Sequence, residues 1–102
     1  MRTVLASVAA SFAIALPAQA NQEPSNEPDP RKLFASNCAW CHNNFGLEAG
    51  KGPKLAGTRL SHQGVMDRIA NGKSGMMPAY RKQLSEREIQ ALAEYIKALP
   101  TN

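Results

Sequence analysis

Apolar positions recur at helical spacing in three stretches of the chain, and nowhere do they alternate as in a strand. The clearest stretch is the last: Ile89, Leu92, Ala93, Ile96 and Leu99 repeat on one face until Pro100. Its start is marked by Ser85 as cap, Glu88 completing a capping box, and Leu84 with Ile89 as a hydrophobic staple. A first helix is predicted from Pro30 to about Ala39, because Asp29 can accept from the first-turn amides and proline suits the first helical position. Leu33 and Phe34 form its apolar face, and Cys38 follows Phe34 by four residues on the same side. A second, short helix is predicted from Ser61 to Asn71, with Val65, Met66 and Ile69 inward and Asn71-Gly72 as its stop. The Gly-rich segment from Asn43 to Gly57 and the segment from Lys73 to Gln83 carry no period. The expected fold is therefore all-α, with three main helices and two long loops. Loops of that length in so small a domain are commonly wrapped around something.

The beginning of the chain follows a different pattern. Arg2 precedes an apolar run from Val4 to Leu16, which Pro17 breaks and Ala18-Gln19-Ala20 ends, as in an export signal removed after Ala20. The rival reading is a retained membrane anchor, but the 13 residues of that run fall short of the roughly 20 needed to cross a hydrocarbon core. Residues 1–20 are thus expected to be a cleaved signal peptide, 21–28 a disordered polar leader, and 29–102 the folded domain. The exported compartment is expected to be the periplasm. So small a domain is marginally stable on its apolar core alone, which points to a bound group that completes the core. Removing Arg2 leaves 11 basic and 8 acidic residues, a net +3. That small, mixed charge gives no footprint for nucleic acid, and no stable membrane insertion is expected of the mature chain.

The chemistry is concentrated in one pentapeptide. The two cysteines of the chain stand in Cys38-Ala39-Trp40-Cys41-His42, the attachment sequence of haem c. On a helical turn, residues three apart share a face, so both sulfurs can form thioethers with the porphyrin edge while the His42 imidazole binds the iron from one side. Three other uses of these residues compete. A disulfide over so short a loop would restrain little chain entropy. A zinc site needs four ligands, and His62 is the one remaining histidine. A thioredoxin-like pair needs strands that the pattern lacks. On the opposite face of a haem the sixth ligand decides the chemistry, and thioether sulfur favours reduced iron. Met66, Met76 and Met77 are the candidates; Met66 falls on an apolar helix face, whereas Met76 and Met77 precede Pro78 in a loop.

From Leu33 to Leu99 the chain resembles the class I c-type cytochromes. The resemblance rests on the haem motif, the methionine loop and the segment Gly52-Pro53-Lys54-Leu55-Ala56-Gly57, which matches the family's Gly-Pro-x-Leu-x-Gly. It implies one covalent haem c, with Met77 as the sixth ligand and Met76 as the alternative. It further implies that the Pro53 carbonyl accepts from the other ring nitrogen of His42, and that Leu55 packs against the haem. Phe34 and Tyr95 reproduce the family's aromatic pair between first and last helices. Two departures stand out: Pro30 falls where the family has a glycine at the crossing of those helices, so a looser or shifted crossing is expected, and the tryptophan near a propionate is absent. Arg59 and Tyr80 are the candidates for that role, and His62 is expected to be solvated. Lys51, Lys54, Lys73, Arg81 and Lys82 flank the two loops and can form a basic ring toward an acidic partner.

The resemblance implies a monomeric periplasmic one-electron carrier and not an enzyme. Its redox partners would be a donor dehydrogenase or quinol-oxidising complex and an acceptor oxidase. Two alternatives remain: a haem peroxidase or small-ligand sensor with a labile methionine, and an electron-transfer subunit docked on a quinoprotein dehydrogenase.

Overall fold

The protein is described by a computed structural model over residues 3–15 and 26–101. Three α-helices form the domain: α1 (Pro30–Asn37), α2 (His62–Asn71) and α3 (Glu86–Lys97), with a short 3-10 turn over Asn44–Gly46. The described residues contain isolated bridges, Asn43 with Glu48 and Lys73 with Met77, but no extended strand.

Each helix begins where its cap chemistry dictates. The Asp29 carboxylate accepts from the amides of Arg31 and Lys32, and the Ser61 hydroxyl accepts from Gly64. Ser85 and Glu88 exchange both bonds of a capping box at the start of α3. Helix α1 stops at Asn37, two residues before the predicted end. The amides of both Cys38 and Ala39 converge on the Phe34 carbonyl, the second across a wider, five-residue span that takes the chain out of the α-helical register. The Asn37 side-chain amide also donates to the Leu33 carbonyl, 2.9 Å away.

Helix α3 packs on both α1 and α2. Its residues Ile89, Leu92, Ala93 and Ile96 form one core with Phe34, Val65, Ile69 and Leu84. Leu84 and Ile89, the predicted staple, both lie in that core. Phe34 is 0% exposed and its ring centroid lies 5.7 Å from Tyr95 and 6.0 Å from Phe45. The contact between α1 and α3 thus runs through Phe34, one turn beyond Pro30. Pro30 itself borders a groove shared with Pro28, Ala91 and Tyr95. The Tyr95 hydroxyl donates to the Phe45 carbonyl at 3.0 Å. Tyr95→Phe is expected to lose about 1 kcal/mol of stability, read as a lower denaturant midpoint at constant slope.

The apolar side chains of Val4, Leu5, Val8, Phe12 and Ile14 all stand exposed, and residues 3–15 form neither helix nor strand. The predicted cleavage point after Ala20 and most of the leader lie outside the described residues. No helix among the described residues is long and apolar enough to cross a membrane.

Candidate functional site

Cys38, Cys41 and His42 lie on one turn that leaves the C-terminus of α1. The Cys38 carbonyl accepts from the amides of Cys41 at 3.2 Å and His42 at 3.0 Å, so the turn is closed twice at its centre. This is the helical turn expected of the motif, displaced just past the helix. Both cysteines are free thiols and half-buried; Trp40 between them is 79% exposed. Burial first, and then the charge of Cys41, pushes the Cys38 thiol up to about 11. Cys38 packs against the hydrophobic core.

His42 is 7% exposed. Its Nδ1 lies 2.8 Å from the Pro53 carbonyl oxygen, which can only accept, so the proton resides on Nδ1 and the lone pair on Nε2. Among the described residues Nε2 makes no hydrogen bond, and no fully enclosed side-chain nitrogen is without a partner. Nε2 therefore faces an opening. The loop that supplies Pro53 is fitted closely to the ring: a Cβ at Gly52 would lie 2.6 Å from Cε1 of His42. The Gly52 amide, in turn, donates to the Cys41 carbonyl at 2.7 Å. Gly52→Ala is expected to cost about 1–3 kcal/mol by overpacking, measured by denaturation of the haem-loaded protein.

The methionine loop is closed at its base onto α2. The amides of Tyr80 and Arg81 donate to the carbonyls of Ile69 and Ala70, which the end of that helix leaves without partners. Within the loop, Lys73 and Met77 exchange two backbone bonds of 2.8 Å. Gly72 makes the turn possible: its φ is +67° and a Cβ there would lie 2.4 Å from the Met77 carbonyl oxygen. The two adjacent methionines part company. Met77 packs against the core, whereas Met76 is 73% exposed. Met66 also packs against the core, from α2. Leu55 is half-buried against the core, and its amide and that of Ala56 share the Gly46 carbonyl.

Tyr80 is half-buried. Its hydroxyl donates to the Asn37 carbonyl at 2.7 Å, so its single proton is not available to a propionate carboxylate. Burial, followed by the charges of Cys38 and Cys41, raises the phenol above its ordinary value. Arg59 is exposed, as are Lys51, Lys54, Lys73, Arg81 and Lys82; the Arg81 guanidinium donates to the Asn71 side chain at 2.7 Å. His62 is half-buried rather than fully solvated, as the first residue of α2. No three His, Cys, Asp or Glu side chains gather as a metal-holding group among the described residues, so His62 does not complete a zinc site with the Cys-x-x-Cys-His turn.

Reading the motifs alone missed two contributors. Phe45 adopts φ +53°, lies beside Phe34 and carries the Arg31 guanidinium 4.1 Å above its ring. Lys97 donates from α3 to the carbonyls of Leu60 at 2.8 Å and Thr58 at 3.4 Å, tying down the far end of the Pro53 loop. The only sequence cue for the first was an aromatic before a glycine; the second has none.

Three helices and no strand among the described residues, and a Cys-x-x-Cys-His turn whose imidazole is braced by a proline carbonyl, define a class I c-type cytochrome. The family described as cytochrome c oxidase, cbb3-type, subunit III matches residues 25–96, and the chain belongs to it. The cbb3-type cytochrome c oxidase subunit FixP of Azorhizobium caulinodans is 34% identical over 89 residues, covering 74% of this chain. Only 29% of that relative is covered, so the chain spans less than a third of its length. Cytochrome c6 of Leptolyngbya boryana is 34% identical over 71 residues, 64% of this chain and 82% of the relative. Among solved structures, cytochrome c6 from the diatom Phaeodactylum tricornutum superposes with a TM-score of 0.55 at 27% identity, over 66% of this chain and 85% of that one.

The protein therefore carries one covalently bound haem c and is a cytochrome of electron transport. Its residues fit that group: two unpaired thiols on one turn, an imidazole nitrogen left open beside them, and the apolar side chains of Leu55 and Met77 packed, like Cys38, against the core.

Proposed function

We propose that Cys38 and Cys41 would hold the haem by thioether bonds, that His42 and Met77 would supply the ligands to its iron, and that the protein is a one-electron carrier. When bound, the haem supplies an iron that takes up and releases one electron at a time. The observation that carries the reading is the geometry of His42. With Nδ1 bonded to the Pro53 carbonyl, the ring cannot turn and Nε2 keeps its lone pair, as an axial ligand requires. Met77 is favoured over Met76 because its side chain is packed inward while its neighbour's is in solvent. Leu55, two residues after Pro53 in the same loop, would pack against the group.

The carrier works as a monomer in the periplasm, after removal of residues 1–20. It accepts electrons from a dehydrogenase or quinol-oxidising complex and delivers them to an oxidase. The five exposed basic side chains of the two loops support an acidic partner surface. A second reading, a domain that stays docked within a larger redox complex, draws support from the match to an oxidase subunit more than three times the length of the matched region.

The test is the visible spectrum of the protein matured in a periplasm with haem c machinery. A low-spin spectrum with the weak red-end band of methionine on ferric iron is expected. A haem spectrum without that band would overturn the methionine assignment. Changing Cys38→Ala and Cys41→Ala together should leave the haem extractable by acidified solvent; haem that stays bound would overturn the attachment.

A further inference from the structure

The proposed sixth ligand lies on a loop whose base is fastened to α2 alone by its backbone: Tyr80 and Arg81 donate to Ile69 and Ala70. One side-chain bond reaches from that loop to the other half of the site. The Tyr80 hydroxyl, 43 residues away in sequence, donates to the Asn37 carbonyl at 2.7 Å. Asn37 directly precedes Cys38, and Tyr80 follows Met77 by three residues. The bond therefore spans the two segments that carry the attachment cysteine and the candidate methionine.

Three features make it suited to hold rather than merely to fill. The Asn37 carbonyl lies in the last turn of α1, where carbonyls lack intrahelical partners, so the hydroxyl meets an acceptor that the helix does not use. The carbonyls of the loop's base are also engaged: Tyr80 itself accepts from the amides of Gln83 and Leu84, which fixes the backbone from which the ring extends. The ring is half-buried and packs against the core, so the hydroxyl has little freedom to find another partner.

We propose that Tyr80 is a positioning residue for the sixth iron ligand: its bond to the Asn37 carbonyl holds the methionine loop against the cysteine turn and sets how readily Met77 yields to an outside ligand. The inference rests on His42 and Met77 as axial ligands. Breaking the latch raises the fraction of molecules in which the methionine side is open. An added ligand binds only that fraction, so its apparent affinity rises in proportion.

The experiment is a titration of the ferric, haem-loaded protein with imidazole, comparing wild type, Tyr80→Phe and Tyr95→Phe. Tyr80→Phe keeps the ring and removes only the hydroxyl. It is expected to raise the imidazole association constant about three- to tenfold, the effect of one ordinary hydrogen bond, while the red-end methionine band persists without imidazole. Tyr95→Phe removes a hydroxyl of similar burial from the α3 side of the core, so it should lower stability without moving the imidazole affinity. Equal affinities in wild type and Tyr80→Phe, or equal rises in both tyrosine variants, would overturn the inference while leaving the ligand assignment intact. Failure of the ligand assignment has its own signature: no red-end band in wild type and no change in imidazole binding on Met77→Ala, which overturns both.

Discussion

Met77→Ala is expected to abolish the red-end band, lower the reduction potential and open the iron to imidazole or carbon monoxide, whereas Met76→Ala should leave all three as in wild type. The asymmetry follows from two adjacent side chains with opposite surroundings, Met77 against the core and Met76 73% exposed. A ligand competing with a bound methionine sees only the minor, open population, which for two-state sites is about 0.1–10%. Removing the methionine removes that competition, so imidazole affinity should rise about ten- to a thousandfold. The potential falls because thioether sulfur favours the reduced iron. The result that would reverse the assignment is the same set of changes in Met76→Ala and none in Met77→Ala.

The largest effect on stability is expected from Phe34→Ala. Phe34 is 0% exposed and sits between Phe45 and Tyr95 at centroid distances of 6.0 and 5.7 Å. Truncating a buried phenylalanine costs about 3–5 kcal/mol, since the lost transfer energy is joined by that of the cavity left behind. Against the roughly 5–15 kcal/mol that holds a small domain folded, this is a large share. A melting temperature lower by more than about 10 °C is expected for a domain of this size, measured on the haem-loaded protein by circular dichroism. Phe34→Leu should lose less, because it refills part of the space. A loss under about 1 kcal/mol in Phe34→Ala would show that α1 is held on α3 by other contacts.

Helix α3 was readable because each of its signals is local: the Ser85–Glu88 box, the Leu84–Ile89 staple and the apolar face lie within a few turns of one another. The start of α1 was readable for the same reason, through Asp29. Its end was not. Termination at Asn37 depends on two amides converging on one carbonyl at Phe34, a geometry that residue types do not announce. The 3-10 turn escaped similarly, since Asn44 and Phe45 adopt positive φ, and for a phenylalanine that is enforced by surrounding contacts rather than by propensity. Within the site, the Cys-x-x-Cys-His turn and its Pro53 partner were legible from spacing and resemblance. The bond of Tyr80 was not legible because its acceptor lies 43 residues away, a pairing that no local pattern encodes.

The partner of the His42 ring nitrogen is a main-chain oxygen, that of Pro53, and not a carboxylate or an amide side chain. A main-chain carbonyl has no proton to gain or lose between acid and alkaline conditions, so the push it gives the imidazole stays constant wherever the surrounding medium drifts. Nor can it be deleted by exchanging the residue that bears it. This one hydrogen bond is thus insulated from acidity and from exchange of the side chain that bears it, while the close fit of Gly52 to the ring limits what its immediate neighbour in the loop can become.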